Sequence, residues 1–252
     1  MYNNTTHFCA LGPGKAGTTW FYGFVKSHPE IAHQKIKESY YFRDHFDKKI
    51  ELYLDNFTLD NNTKAFGDIS NQYIFSSSAI ARIKSKFPDT KFFFFKRNEL
   101  DRLRSAYIFE LRNGMKRDVR SYLSTIEKNR FNNLLLLEGL YKIVDKKNVF
   151  IVDFERLKNE EESLKQEICN FLDISNIKTD IDRKFINKSF VPRNRIVAKT
   201  LKYVATIIRA LGLTSLLQKI KENILVHKLI FSDKQFILSE KEINALENFL
   251  KK

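Results

Sequence analysis

Short unbroken apolar runs alternate along this chain with longer segments whose apolar residues recur at helical spacing. His7–Leu11 is such a run. It ends in Gly12-Pro13-Gly14, so it predicts a buried strand entering a tight loop. Thr18–Ser27 has helical spacing and stops at His28-Pro29, where proline ends a helix. Ala65–Gly67 predicts a short strand, and Ala79–Lys86 a helix that stops at Pro88. Lys91–Lys96 sets consecutive phenylalanines between two lysines, the pattern of a strand covered on both faces in the middle of a parallel sheet. Helical spacing follows over Glu99–Arg112, Asn133–Val144 and Leu164–Leu172, with a further strand at Val149–Asp153. This alternation predicts an α/β fold of three layers around a central parallel sheet. After Ile174 the pattern changes to a polar loop and then to basic amphipathic helices.

The chain has 252 residues, enough for one large domain or two small ones. It contains no Gly/Ser-rich linker, so one domain over 1–252 is expected, with a core over about 7–195 and C-terminal helices over about 196–252. Lys and Arg number 44 against 30 Asp and Glu, a net charge of +14. Such a balance suits an anionic partner, and it also suits a plain compositional bias toward Lys and Asn. Only charges with a defined place therefore carry weight. Cys9 and Cys169 form no framework, and the histidines show no metal spacing, so no metal is expected. Residues 1–6 hold no apolar leader, and lysines and arginines break up Ala198–Ile230 before it reaches membrane-spanning length. A cytoplasmic protein is the expectation.

The strongest local signal is Gly12-Pro13-Gly14-Lys15-Ala16-Gly17-Thr18-Thr19-Trp20, between a predicted strand and a predicted helix. A loop in that place aims backbone N–H groups and a helix N-terminus at an anion. Gly12 and Gly17 have the glycine spacing of a phosphate-binding loop, and Thr19 holds its Ser/Thr position. Thr18 stands where a triphosphatase needs lysine, and Lys15 lies inside the loop instead. Phosphoryl transfer also calls for a carboxylate to hold Mg²⁺ after a later strand, whereas Lys91–Lys96 runs into Arg97-Asn98. A sulfuryl donor, with less charge on the transferred group, suits basic side chains in place of the metal.

This loop resembles the 5′-phosphosulfate loop of sulfotransferases that use 3′-phosphoadenosine 5′-phosphosulfate (PAPS). The resemblance implies a P-loop-like fold and donor binding by Gly14, Lys15, Ala16, Gly17, Thr18, Thr19 and Trp20. Lys15 would sit at the bridging oxygen. Release of the sulfuryl group leaves 3′-phosphoadenosine 5′-phosphate (PAP). A second signature of that family places a serine eight residues beyond an arginine at a strand end; Arg97 and Ser105 match it, with Glu99 where proline is usual. The pair is expected to hold the 3′-phosphate, although Glu99–Arg112 also reads as an amphipathic helix with surface arginines.

His33–Phe42 contains Lys37-Glu38-Ser39-Tyr40-Tyr41-Phe42, which resembles the K-E-x-x-F-F segment of glycan sulfotransferases, heparan-type enzymes above all. That likeness makes Glu38 the base for the acceptor hydroxyl and Lys37 a neighbour of the sulfuryl group. Alternatively, Glu38 is a surface carboxylate beside Lys37. Phe66–Tyr73 resembles a G-E-x-S-P-x-Y element that lines the acceptor cleft, with Asp68 for Glu and Asn71 for Pro. Asp68, Ser70 and Tyr73 are then acceptor-side residues and Asp68 a second candidate base or a positioner. Ser70 equally reads as a helix N-cap. Arg193 and Arg195 match a loop that closes over the nucleotide in related enzymes, or form a solvated basic loop. The resemblance covers about residues 7–195.

The expected function is PAPS-dependent, metal-independent O-sulfation of a hydroxyl on a glycan or glycolipid. A P-loop small-molecule kinase and a polyanion-binding protein are the alternatives; the kinase lacks its lysine, and no nucleic-acid-recognition motif supports the latter. The basic stretch Lys199–Lys228 either touches a membrane surface or packs on the core.

Overall fold

The computed structural model describes residues 5–179, 181, 190–192, 194, 196, 200, 201, 203, 204, 208 and 231–251. The described chain divides into two compact units, one of residues 1–97 and 132–183, the other of 98–131 and 184–252.

The first unit holds a five-stranded sheet in the order β2-β3-β1-β4-β5. Its strands are β1 (Thr6–Gly12), β2 (Ile31–Ala32), β3 (Ala65–Ile69), β4 (Lys91–Lys96) and β5 (Val149–Asp153). Every pairing is parallel. Strand alternation sends β1 and β4 side chains to opposite faces. Cys9, Leu11, Phe92 and Phe94 pack with Ile80 and Ile83 of α4 (Ser77–Lys86) and Leu140 of α7 (Asn133–Tyr141). On the other face Phe8, Phe93 and Phe95 meet Phe21 of α1 (Thr18–Ser27), and Phe93 meets Phe171 of α9 (Glu161–Leu172). Layers on both faces explain why β4 has no polar side in its interior.

The elements expected up to Leu172 are present, with moved ends: β3 runs two residues past Gly67, and α7 stops at Tyr141 rather than Val144. Local pattern did not announce β2, nor the short helices α2 (Tyr41–Asp44), α3 (Glu51–Leu54) and α8 (Phe154–Asn159). Each is too short to show a period.

The second unit contains α5 (Glu99–Arg112), α6 (Val119–Leu123), an antiparallel pair β6 (Phe190–Pro192) and β7 (Phe231–Gln235), and α10 (Glu240–Lys251). Its core gathers Leu103, Tyr107, Leu111, Tyr122, Phe131 and Leu246. Asn98 caps α5 by accepting from the Asp101 N–H at 3.1 Å, which is how the helix starts without the usual proline. The strand pair corrects the expectation of helices throughout the C-terminal part. Its pairing joins segments about forty residues apart, and no short-range pattern records that. Most of Lys199–Lys228 lies outside the described residues. Among the described residues no helix is long and apolar enough to cross a membrane.

Candidate active site

The glycine-rich loop leaves β1 at the centre of the sheet, between β3 and β4. Its turn is built from positive φ angles at Gly12 (94°), Lys15 (69°) and Gly17 (111°). A side chain at Gly12 would fall onto the Asn71 backbone carbonyl. Gly17 caps α1 without any side-chain hydrogen bond, and the first turn of α1 carries no acidic residue. The positive end of that ten-residue helix is therefore available to an external anion. Backbone N–H donors at a helix N-terminus suit the negative charge of a phosphosulfate.

Arg97, at the end of β4, ties down the loop. Its Nη1 donates to the Lys15 carbonyl at 2.9 Å, and its guanidinium lies over the Phe154 ring, 4.2 Å from the centroid. Asn133 Nδ2 donates to the Arg97 carbonyl at 2.8 Å. The glycine-rich loop and the arginine that follows β4 thus meet directly at Lys15 and Arg97. Thr18 is buried, while Gly14, Lys15, Gly17 and Thr19 are half-buried. Ala16 and Trp20 are buried; the Trp20 indole donates to Glu161 at 3.1 Å and stacks on Phe24. Ser105 is half-buried on α5. Arg193 and Arg195 lie outside the described residues.

On the acceptor side, residues 68–73 form a template for residues 38–42. The Glu38 N–H donates to the Ile69 carbonyl at 3.2 Å. Ser39 Oγ donates to Asp68 at 3.2 Å, the Tyr40 N–H to Ser70 Oγ at 3.4 Å, and the Phe42 N–H to the Tyr73 hydroxyl at 3.1 Å. These bonds hold Glu38 and Tyr40 at positive φ, 60° and 51°. The Glu38 carboxylate accepts from Asn71 Nδ2 at 2.6 Å. Lys37 places its ammonium 5.4 Å from the Tyr22 ring centroid.

Asp68, Ser70 and Tyr73 are each 0% exposed, so these side chains lie beneath the surface rather than along an open cleft. Asp68 accepts from Ser70 Oγ and the Tyr73 hydroxyl, both at 2.9 Å, as well as from Ser39. Ser70 caps no helix; Ser76 caps α4 instead. Removing the Asp68 carboxylate strands three hydroxyls. Asp68→Ala is expected to lower stability by about 2–4 kcal/mol, read from the urea midpoint at constant m.

Burial raises the Asp68 carboxyl to about 6, although three hydroxyl donors pull the other way. Burial drives the His7 imidazole down to about 3; it sits between Thr90 Oγ1 and the Tyr53 hydroxyl, both at 2.7 Å. Glu30 is held down at about 2, against its burial, by Lys64 and Ser175. Glu242 is held at about 2 chiefly by Arg117. Stability falls with acidification wherever the unfolded chain binds more protons. His7 therefore costs stability from pH 6.5 down to about 3, whereas Asp68 returns some between about 6 and 3.8. Glu30 and Glu242 add their loss only below 4.5. Chemical denaturation across pH should show a shallow slope from pH 6.5 to 4.5 and a steep fall below about 4. A steep fall already complete at pH 5 contradicts these assignments.

Residues 5–200 match the family model described as a sulfotransferase domain. The chain belongs to the sulfotransferase family. Membrane-associated sulfotransferase kil1 of Dictyostelium discoideum is 30% identical over 108 residues, 42% of this chain and 23% of that protein. The chain thus matches under a quarter of that relative's length. A sulfotransferase from Alicyclobacillus acidocaldarius, solved by crystallography, shares the fold with a TM-score of 0.61 at 18% identity. The alignment covers 88% of this chain and 98% of that one.

The structure adds Asn71, Tyr40 and Asn133 to the candidate site, none of which the sequence assigns a role there. Their roles rest on contacts between segments more than thirty residues apart, which spacing does not reveal.

Proposed function

We propose that this chain transfers the sulfuryl group of PAPS, the donor general to its family, to a hydroxyl of a glycan or glycolipid. The observation that carries this reading is the uncapped N-terminus of α1, delivered by a positive-φ turn that Arg97 anchors and that abuts the residue bonded to Glu38. PAPS supplies an activated sulfuryl group with PAP as the leaving half.

In this reading the backbone of Gly14–Thr19 and the hydroxyls of Thr18 and Thr19 bind the 5′-phosphosulfate. Ala16 and Trp20, being buried, contribute through their backbone. The Lys15 ammonium neutralises charge on the departing phosphate oxygen. Arg97 holds the 3′-phosphate, and Ser105, Arg193 and Arg195 keep the donor roles that the resemblance gives them. Glu38 takes the proton of the acceptor hydroxyl, with Lys37 beside the sulfuryl group. Asp68, Ser70 and Tyr73 hold the Glu38 segment in place. No residue is assigned to a metal. The kil1 relative is membrane-associated by name, and a peripheral, cytoplasmic-face contact through Lys199–Lys228 belongs to this proposal.

The test is incubation with ³⁵S-labelled PAPS and a panel of heparosan, galactosylceramide vesicles, p-nitrophenol and a tyrosine peptide. Label on the polysaccharide or the glycolipid supports the acceptor class. Label on the phenol or peptide alone removes it while leaving the donor assignment. Phosphate transfer from ATP–Mg²⁺ with no transfer from PAPS restores the kinase alternative.

A further inference from the structure

We infer that Asn71 is a positioning residue that orients Glu38 and couples it to the donor loop. The inference rests on the assignment of Glu38 as base. Three hydrogen bonds and two close approaches to the glycine-rich loop define it. Asn71 Nδ2 donates to Glu38 Oε1 at 2.6 Å. Asn71 Oδ1 accepts from the Tyr40 hydroxyl at 3.2 Å and from Gln72 Nε2 at 3.4 Å, which fixes the amide with its N–H toward the carboxylate. The Asn71 carbonyl lies where a Gly12 side chain would go. Its Nδ2 lies 3.3 Å from the Cβ position of Gly14. Asn71 therefore bonds the carboxylate that takes the proton and stands against the loop that holds the donor, with its carbonyl at Gly12 and its amide at Gly14.

Proline, the residue of the resembling element, has no amide to give. The bridge is a property of this chain. A charge-assisted hydrogen bond of this length restrains the carboxylate to one rotamer, and the Tyr40 hydroxyl restrains the amide. Burial and the Glu38 carboxylate push the Tyr40 phenol above its ordinary range, so it remains a donor. Movement of the loop at Gly12 or Gly14 is transmitted to Glu38 through the same residue.

The experiment pairs a spectrum with a mutant cycle. In ¹⁵N-labelled protein the Asn71 side-chain amide signals are assigned by their loss in Asn71→Ala, or in the isosteric Asn71→Asp should the alanine variant not fold. Glu38→Gln should move them upfield, because a charged acceptor deshields the proton more than a neutral one. PAP should shift them in the wild type. The cycle measures PAP release from PAPS with water as acceptor, in which the sulfur–phosphate oxygen bond breaks, a sulfur–water oxygen bond forms and the proton goes to Glu38. Asn71→Ala, or Asn71→Asp in its place, should lower kcat about 10- to 100-fold and leave the KM for PAPS within about twofold. In the Glu38→Gln background the same substitution should cost less than about twofold. An equal loss in both backgrounds, or amide signals indifferent to Glu38→Gln, overturns the inference. A Glu38→Gln enzyme that turns over at the wild-type rate removes the base assignment itself, and is recognised by that rate alone.

Discussion

Lys15→Ala is expected to reduce sulfuryl transfer by about 10²- to 10³-fold or more and to weaken PAP binding as well. Lys15 sits in the positive-φ turn between β1 and α1, and its carbonyl is held by Arg97. Those backbone contacts survive in alanine, which meets the same φ penalty as lysine. The fold and the loop should therefore persist, with an unchanged melting temperature. On the proposed function, the missing part is one positive charge beside the point where negative charge develops during S–O cleavage. Single-turnover kinetics report its loss in the chemical step, and calorimetry reports it in donor affinity. Wild-type turnover in Lys15→Ala would falsify the placing of this loop around the phosphosulfate.

Glu38→Gln is expected to behave differently. Turnover should fall by about 10²- to 10⁴-fold, the range of a lost general base, while PAP affinity stays near wild type. Glutamine keeps the length of the side chain, and its carbonyl oxygen can still accept from Asn71 Nδ2. The residues that hold the Glu38 backbone, Ile69 and those around it, are untouched. The contrast between the two variants separates donor chemistry from acceptor chemistry. Equal loss of PAP affinity in both would show that Glu38 belongs to the donor site instead.

The sheet was largely legible because its strands are apolar throughout. Phe92–Phe95 is an apolar run of strand length, as an interior parallel strand should be, and the glycine-rich loop marks the end of β1. The glycine-rich loop and the Arg97–Ser105 pattern are readable because each is local and set by residue type. The acceptor side was legible only as a likeness. Asp68, Ser70 and Tyr73 looked like cleft residues, because sequence shows which groups are polar and not which are buried. In the structure they are covered completely and spend their hydroxyl and carboxylate groups on one another and on the Glu38 segment. The role of Asn71 was hidden for the same reason: its partners, Glu38 and Tyr40, lie on another segment. The strand pair of the C-terminal part was missed because antiparallel pairing between distant short segments leaves no period.

Calorimetric titration with PAP in the absence of metal, against ADP and ATP–Mg²⁺, tests the central claim most directly. A donor site for PAPS predicts tight, metal-independent PAP binding that is much weaker for ADP, because ADP lacks the 3′-phosphate, and that is lost in Arg97→Ala. Preference for ATP–Mg²⁺, or PAP binding no tighter than ADP and indifferent to Arg97, would contradict it.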